Sequence, residues 1–307
     1  MNHAPNNLNQ LLFQTYHYLI NAVLCILLFF PTMAVAKPDP HSIQKEPYSN
    51  QKQLGNVCEE GNAQCTFVLL KESEPNTVVI HNLTRAMQQF SPFSTFKIAS
   101  SLIALDTKAV TDIESQILLR DEQRFPTQQW WRASWTEQQH NLKSAFQHSA
   151  LPLFQTLTVK IGKPTFAKYV RQFNYGNSDV SGPVDSFWLN NSLKISALEQ
   201  VNFLRNIRLQ KLGVAESTYQ HFKQVMRVNE SRHPAEKQLI NDYHLYAKTG
   251  TGRIDKNTVI GWYVGYLETT DKQDTYYFAF NITAPTYQGL LKKRKGLAIT
   301  LLNRHLN

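Results

Sequence analysis

The chain has 307 residues, 42% of them hydrophobic and 18% charged, with a formal net charge of +9. That length supports one large domain or two smaller ones with a real core, and Gly and Pro are too sparse for a disordered or fibrous protein. The positive charge suits small anions; no compact basic helix or aromatic-basic interleaving points to nucleic acid.

Residues 1–36 contain no Asp, Glu, Lys or Arg. An apolar run around Leu24–Phe30 ends in Ala34-Val35-Ala36, an A-x-A site before Lys37, which reads as a secretory signal peptide over 1–36. No Lys or Arg precedes the apolar run, so an uncleaved anchor is the alternative, but the run is short for a span. Leu24 before Cys25 does not suit a lipoprotein site. No later stretch is apolar enough to cross a membrane, so no stable membrane insertion is expected after cleavage. The mature chain, 37–307, then retains two cysteines, Cys58 and Cys65. A close, even pair in an exported protein predicts a disulfide, with two free thiols as the alternative.

Residues 37–56 are polar and carry Pro38, Pro40 and Pro47, which predicts a loose leading segment. Thr66–Leu70 and Thr77–Ile80 read as strands joined by a turn at Glu74-Pro75-Asn76. After Pro92 the period becomes helical, with Phe96, Ala99, Leu102 and Ile103 on one face. Residues 105–238 read as helix and loop, with Leu193, Ile195, Leu198, Val201, Leu204 and Ile207 outlining one helix. Val259–Leu267 and Tyr276–Ile282 are strands linked through Thr269–Asp274, and Leu290–Leu306 is a closing helix. The expected fold class is α/β of the α+β type: an antiparallel sheet from both termini, flanked by helices, with an inserted, mostly helical region. The single catalytic domain, 37–307, divides into a sheet lobe at about 57–95 and 240–307 and a helical lobe at about 96–239. A cleft between them is expected.

Ser94-Thr95-Phe96-Lys97 places a serine and a lysine on one face of a helix. A serine hydroxyl needs a base, and a buried lysine can supply one because desolvation disfavours its charged form. The spacing alone is weak, since Ser42/Lys45 and Ser49/Lys52 share it in polar segments. Lys248-Thr249-Gly250 is the second marker: on a strand edge it offers a cation, a hydroxyl and bare backbone. A turn leading into a strand is the plain alternative. The ten His show no metal-ligand spacing, so no metal is expected, and no G-x-S-x-G elbow, P-loop or dinucleotide fingerprint occurs.

These two motifs resemble those of penicillin-recognising serine enzymes. Further stretches resemble the class D, oxacillinase-type β-lactamases in that family's order: Ser149-Ala150-Leu151, Tyr175-Gly176-Asn177, Phe187-Trp188-Leu189 with Ile195-Ser196, and Arg294. Leu102–Asp106, Pro152–Gln155 and Gly261–Gly265 follow the family's habits too, so the likeness spans about residues 66–300.

The resemblance implies a secreted hydrolase, in the periplasm of a Gram-negative bacterium, that opens the ring of a small β-lactam substrate. Ser94 would be acylated and Lys97, carboxylated by carbon dioxide or bicarbonate to N6-carboxylysine, would be the general base. No other cofactor is implied. Trp188 would donate to the carbamate, with Leu151 and Leu189 as apolar wall. Ser149 would relay a proton to the ring nitrogen, assisted by Lys248. Backbone N–H groups of Ser94 and Thr251 would form the oxyanion hole, and Thr249, Gly250 and Arg294 would bind substrate. Tyr175-Gly176-Asn177 would shape the wall. Two departures stand out: Thr251 where many relatives carry an aromatic, and Ser149-Ala150-Leu151 in place of a Ser-Val-Val-like stretch. A β-lactam sensor or penicillin-binding protein, which acylates without turnover, shares the same constellation and is the alternative. Substrate range and oligomeric state are not legible.

Overall fold

Strands β5 (Val259–Thr269) and β6 (Thr275–Ala284) are apolar with little alternation and buried almost throughout, the signature of a sheet covered on both faces. They form its centre in a computed structural model that describes residues 50–53, 64–231, 233–271 and 273–306. The remaining strands are β1 (Asn50–Gln53), β2 (Cys65–Lys71), β3 (Thr77–His81) and β4 (Tyr243–Arg253), in the order β1-β3-β2-β6-β5-β4. Five of them run antiparallel, joining residues from both halves of the chain; β2 meets β6 with Cys65 opposite Ile282 and Lys71 opposite Tyr276. The sixth departs from the expected loose segment: β1 pairs parallel to β3, Asn50 opposite Thr77. Its sequence, Asn-Gln-Lys-Gln, has no apolar alternation that would mark a strand; the ladder to β3 defines it.

The helices are α1 (Leu83–Met87), α2 (Lys97–Asp106), α3 (Leu142–His148), α4 (Leu151–Ile161), α5 (Lys163–Gln172), α6 (Ala197–Arg208), α7 (Glu216–Met226), α8 (Pro234–Asp242) and α9 (Tyr287–Asn303). One face of the sheet, with Val68, Ile80, Trp262 and Val264, packs into a core shared with α2 to α7. The other, with Phe67, Leu69, Tyr263 and Phe280, packs against Leu290, Ile299 and Leu302 of α9 and Leu239 of α8.

The structure shortens the helix outlined by Leu193 to Ile207. It begins at Ala197, because Ser196 accepts from Glu199 N and the Glu199 carboxylate accepts from Ser196 N, a reciprocal cap. Ile195 instead exchanges backbone hydrogen bonds with Phe90 at 2.9 and 3.0 Å. The closing helix starts earlier than expected, at Tyr287, where the Thr286 hydroxyl caps it. The leader 1–36 and Cys58 lie outside the described residues; Cys65 is buried at the start of β2.

Candidate active site

Pro92 precedes a 3-10 turn, Phe93–Phe96, that runs directly into α2, so Ser94 lies in the turn and Lys97 begins the helix. The chain enters it through Phe93, held at φ +49°, whose N–H donates to Trp188 O. Phe96 fixes the turn from below: its ring contacts those of Phe166, Tyr175, Phe187 and Trp188 at centroid distances of 5.2–6.0 Å. Thr95 donates to Pro92 O and accepts from Gln200 Nε2 of α6, a fully buried brace at 2.9 Å.

This brace sets Lys97 Nζ 3.1 Å from Ser94 Oγ. Lys97 is 1% exposed, sits 5.1 Å over the Phe154 ring and has no carboxylate partner among the described residues; desolvation lowers its pKa to about 7. Near neutral pH a substantial fraction of it is therefore an uncharged amine, able to accept a proton.

Ser149 caps α3 in the left-handed region, φ +58° and ψ +36°, and so projects from a tight corner before α4. Its Oγ accepts from Lys248 Nζ at 3.0 Å. Burial, and then the nearby positive charges of Lys97, Arg294, Lys295 and Arg132, hold the Lys248 amine well below the ordinary lysine range. The two Ser/Lys pairs thus belong to one electrostatic neighbourhood.

Lys248, Thr249 and Gly250 lie inside β4 and not in a turn before it. β4 is an edge strand. Arg227 and Val228 cover its outer side as far as Tyr246 and Leu245, and no described strand pairs beyond. Gly250 is required by approach: a Cβ there would stand 2.7 Å from Pro92 O and 3.1 Å from Thr95 Cγ2. The strand can therefore lie directly against the turn bearing Ser94. Arg294 of α9, 8% exposed, reaches the same strand, where Nη1 donates to Gly250 O at 3.0 Å and to the Thr251 hydroxyl. Part of its hydrogen-bonding capacity is thus committed to holding β4.

Trp188 is buried, and its Nε1 has no acceptor among the described residues. Leu151 and Leu189 are half-buried against the core that includes Phe96 and Phe154. Tyr175-Gly176-Asn177 ties down the segment between Trp188 and α6: Asn177 N donates to Lys194 O, its Oδ1 accepts from Lys194 N, and its Nδ2 donates to Ser192 O, all at 2.8–3.0 Å. Gly176, at φ +54°, is needed there because a Cβ would meet Lys194 O at 1.9 Å. An open cleft of about 1290 Å³ borders the Ser149/Lys248 side of the site, lined there by Phe146, His148, Lys248 and Thr249.

Sequence reasoning did not single out Gln200, Phe146 or the charge partners of α9. Gln200 sits among the helical residues of α6 with nothing in its spacing to show that it braces Thr95. Phe154 appeared only within a family-like stretch, without its place under Lys97.

The turn, the paired Ser/Lys groups and the bare edge strand make the arrangement expected of penicillin-recognising serine proteins. Comparison with known proteins agrees: residues 62–301 match the penicillin binding protein transpeptidase domain. β-Lactamase OXA-48 of Klebsiella pneumoniae is 39% identical over 232 residues, 75% of this chain and 80% of that protein. A solved class D β-lactamase from Sebaldella termitidis superposes with a TM-score of 0.70 at 29% identity, covering 83% of this chain and 98% of that one. The C-terminal domain of the Bacillus licheniformis BlaR penicillin-receptor gives a TM-score of 0.71 at 28% identity, covering 83% and 96%. The chain belongs to the class D β-lactamase family.

Proposed function

We propose that this protein hydrolyses β-lactams through an acyl-enzyme on Ser94. The observation that carries this reading is the 3.1 Å contact between Ser94 Oγ and a fully buried Lys97 whose pKa lies at about 7. A base at Lys97 takes the Ser94 proton as Oγ attacks the lactam carbonyl. The oxyanion forms facing the N–H groups of Ser94 and Thr251; the first turn of a helix leaves such a group at Ser94 without an acceptor, and Thr251 lies on the edge strand β4. Collapse breaks the C–N bond, and Ser149, hydrogen-bonded to Lys248, delivers the proton to the ring nitrogen. Thr249 and Arg294 receive the substrate carboxylate alongside the open half of β4. A water activated by the same base then hydrolyses the ester.

The residues fit a carbamate on Lys97. The amine is partly neutral and lies in an apolar pocket, and Trp188 Nε1 is a buried donor in need of an acceptor. When formed, that group supplies an anionic general base for acylation and deacylation. An exported enzyme, released from the 1–36 leader into the periplasm and stapled by Cys58–Cys65, is consistent with the sequence; N-terminal sequencing and thiol titration of the secreted protein check both.

The likeness to the BlaR penicillin-receptor domain favours one second reading, acylation without turnover. Intact-mass spectrometry during reaction with a penicillin, beside a hydrolysis assay, separates the two. A transient adduct with many turnovers is expected. A permanent one-to-one adduct would establish the sensor reading, and no adduct with no hydrolysis would exclude both.

A further inference from the structure

Six cations line the cleft, Arg132, Lys143, Arg227, Lys237, Lys248 and Lys295, against two carboxylates, Glu230 and Glu236. Local pairing accounts for two: Lys143 pairs with Glu114 at 2.9 Å, and Lys295 with Glu236 at 2.6 Å. Arg227 donates to His244 Nδ1 at 2.8 Å and lies over the Tyr246 ring. Arg132 and Lys237 are both exposed, with no carboxylate partner among the described residues; Arg132 stands on a rim of packed aromatic rings.

Its position is nonetheless fixed. Arg132 sits at the N-terminus of the short 3-10 turn Ala133–Trp135, with its own carbonyl accepting from Trp135 N at 2.9 Å. Trp130, Trp131 and Trp135 pack on one another with centroids 5.9–6.3 Å apart, and the Arg120 guanidinium lies over Trp131. Trp135 Nε1 donates to His148 O at 2.9 Å, which ties this rim to the residue before Ser149. Arg132 lines the same cleft as Lys248 and Thr249, and Arg294 reaches β4 beside them. A substrate whose one carboxylate is met at Thr249 and Arg294 leaves the charge of Arg132 uncompensated.

We propose that Arg132, held on the tryptophan rim, is a specificity-determining residue that favours β-lactams carrying a second anionic group, a carboxylate or sulfonate, on the acyl side chain. This rests on the β-lactam reading above. With the ring carboxylate directed to Thr249 and Arg294, the acyl side chain is the part of the substrate left to meet the opposite rim. An exposed cation acts there mainly on capture of substrate, so the effect belongs in KM.

The test compares benzylpenicillin with its α-carboxy derivative, two substrates that differ by one carboxylate, in the wild type, Arg132→Gln and Arg132→Lys. In Arg132→Gln the ratio of kcat/KM for the dianionic over the monoanionic substrate should fall about 5- to 10-fold through KM, as expected for loss of one charge contact. Arg132→Lys should restore most of it, and 0.5 M NaCl should shrink the wild-type ratio without moving that of Arg132→Gln. An unchanged ratio in Arg132→Gln, or an equal loss on both substrates, overturns the proposal. If the wild type acylates without turnover, the same ratio is read from adduct-formation rates by intact mass; the hydrolytic reading then fails while the Arg132 assignment stands or falls on its own ratio.

Discussion

Lys97 concentrates the chemistry of the site in one titration. A buried amine that ionises at about 7 is mostly protonated below that pH, where it can neither accept the Ser94 proton nor add carbon dioxide. Activity should therefore rise with pH through about 7 and level off above it, as a pH series of kcat/KM will show. At fixed pH, degassed buffer should lower the rate and added bicarbonate restore it; equal rates at several pH values would remove the carbamate from the mechanism. Lys97→Ala should lose about 10²- to 10⁴-fold in kcat, the scale of general acid–base catalysis. Its thermal midpoint should not fall with the activity, since the variant no longer desolvates an unpaired amine.

At the scale of the element, the reciprocal cap of Ser196 and Glu199 decides where the chain stops pairing with Phe90 and starts α6. Ser196→Ala should lower stability by about 1 kcal/mol in chemical denaturation. It should also loosen Gln200, four residues on, and through it the Thr95 turn, so kcat should fall more than circular dichroism at 222 nm changes. The same boundary shows what was legible in the sequence. Both hairpins and the helix carrying Lys97 followed from period and turn residues, because those signals are local. Leu193 and Ile195 match a helical period and yet are not helical, since a cap outweighs two apolar residues at matching spacing. Asn50–Gln53 is a strand only through its partner. Spacing put Ser94 and Lys97 on one helix face but did not separate them from Ser42/Lys45 and Ser49/Lys52; the contact of Ser149 with Lys248, 99 residues apart, came only from likeness to a family until the fold brought the two together. Gln200 meets Thr95 across 105 residues and Glu236 meets Lys295 across 59, and neither left a mark in the sequence.

Across the whole molecule, Glu236 joins three separate segments. Its carboxylate accepts from Lys295 of α9 at 2.6 Å, from the Tyr263 hydroxyl of β5 and from Ser231, and so ties α8 to α9 and β5. Burial pushes its carboxyl up, but Lys295 with the two hydroxyls outweighs this and holds it below the ordinary 4.5. A depressed carboxyl contributes stability that is present above its ordinary pKa and lost as pH falls through the folded value. Glu236→Gln should lower stability by about 2 kcal/mol at pH 7, the worth of hydrogen bonds to a charged group. The gap from wild type should narrow in acid, as paired denaturation curves from pH 7 to 3 will test.

The half-open edge of β4 reaches beyond catalysis. From Ala247 onward its outer backbone has no described strand neighbour, and such a row can recruit a strand of another chain during folding. The molecule cannot blunt that edge with a bulge or a proline without closing the place where the proposed substrate would lie. An acyl group that leaves slowly would shield it, and it would also draw the population toward the native state by mass action. A poorly hydrolysed β-lactam in the growth medium should then behave as a folding aid, so that the drug least able to escape the enzyme increases the soluble amount of it.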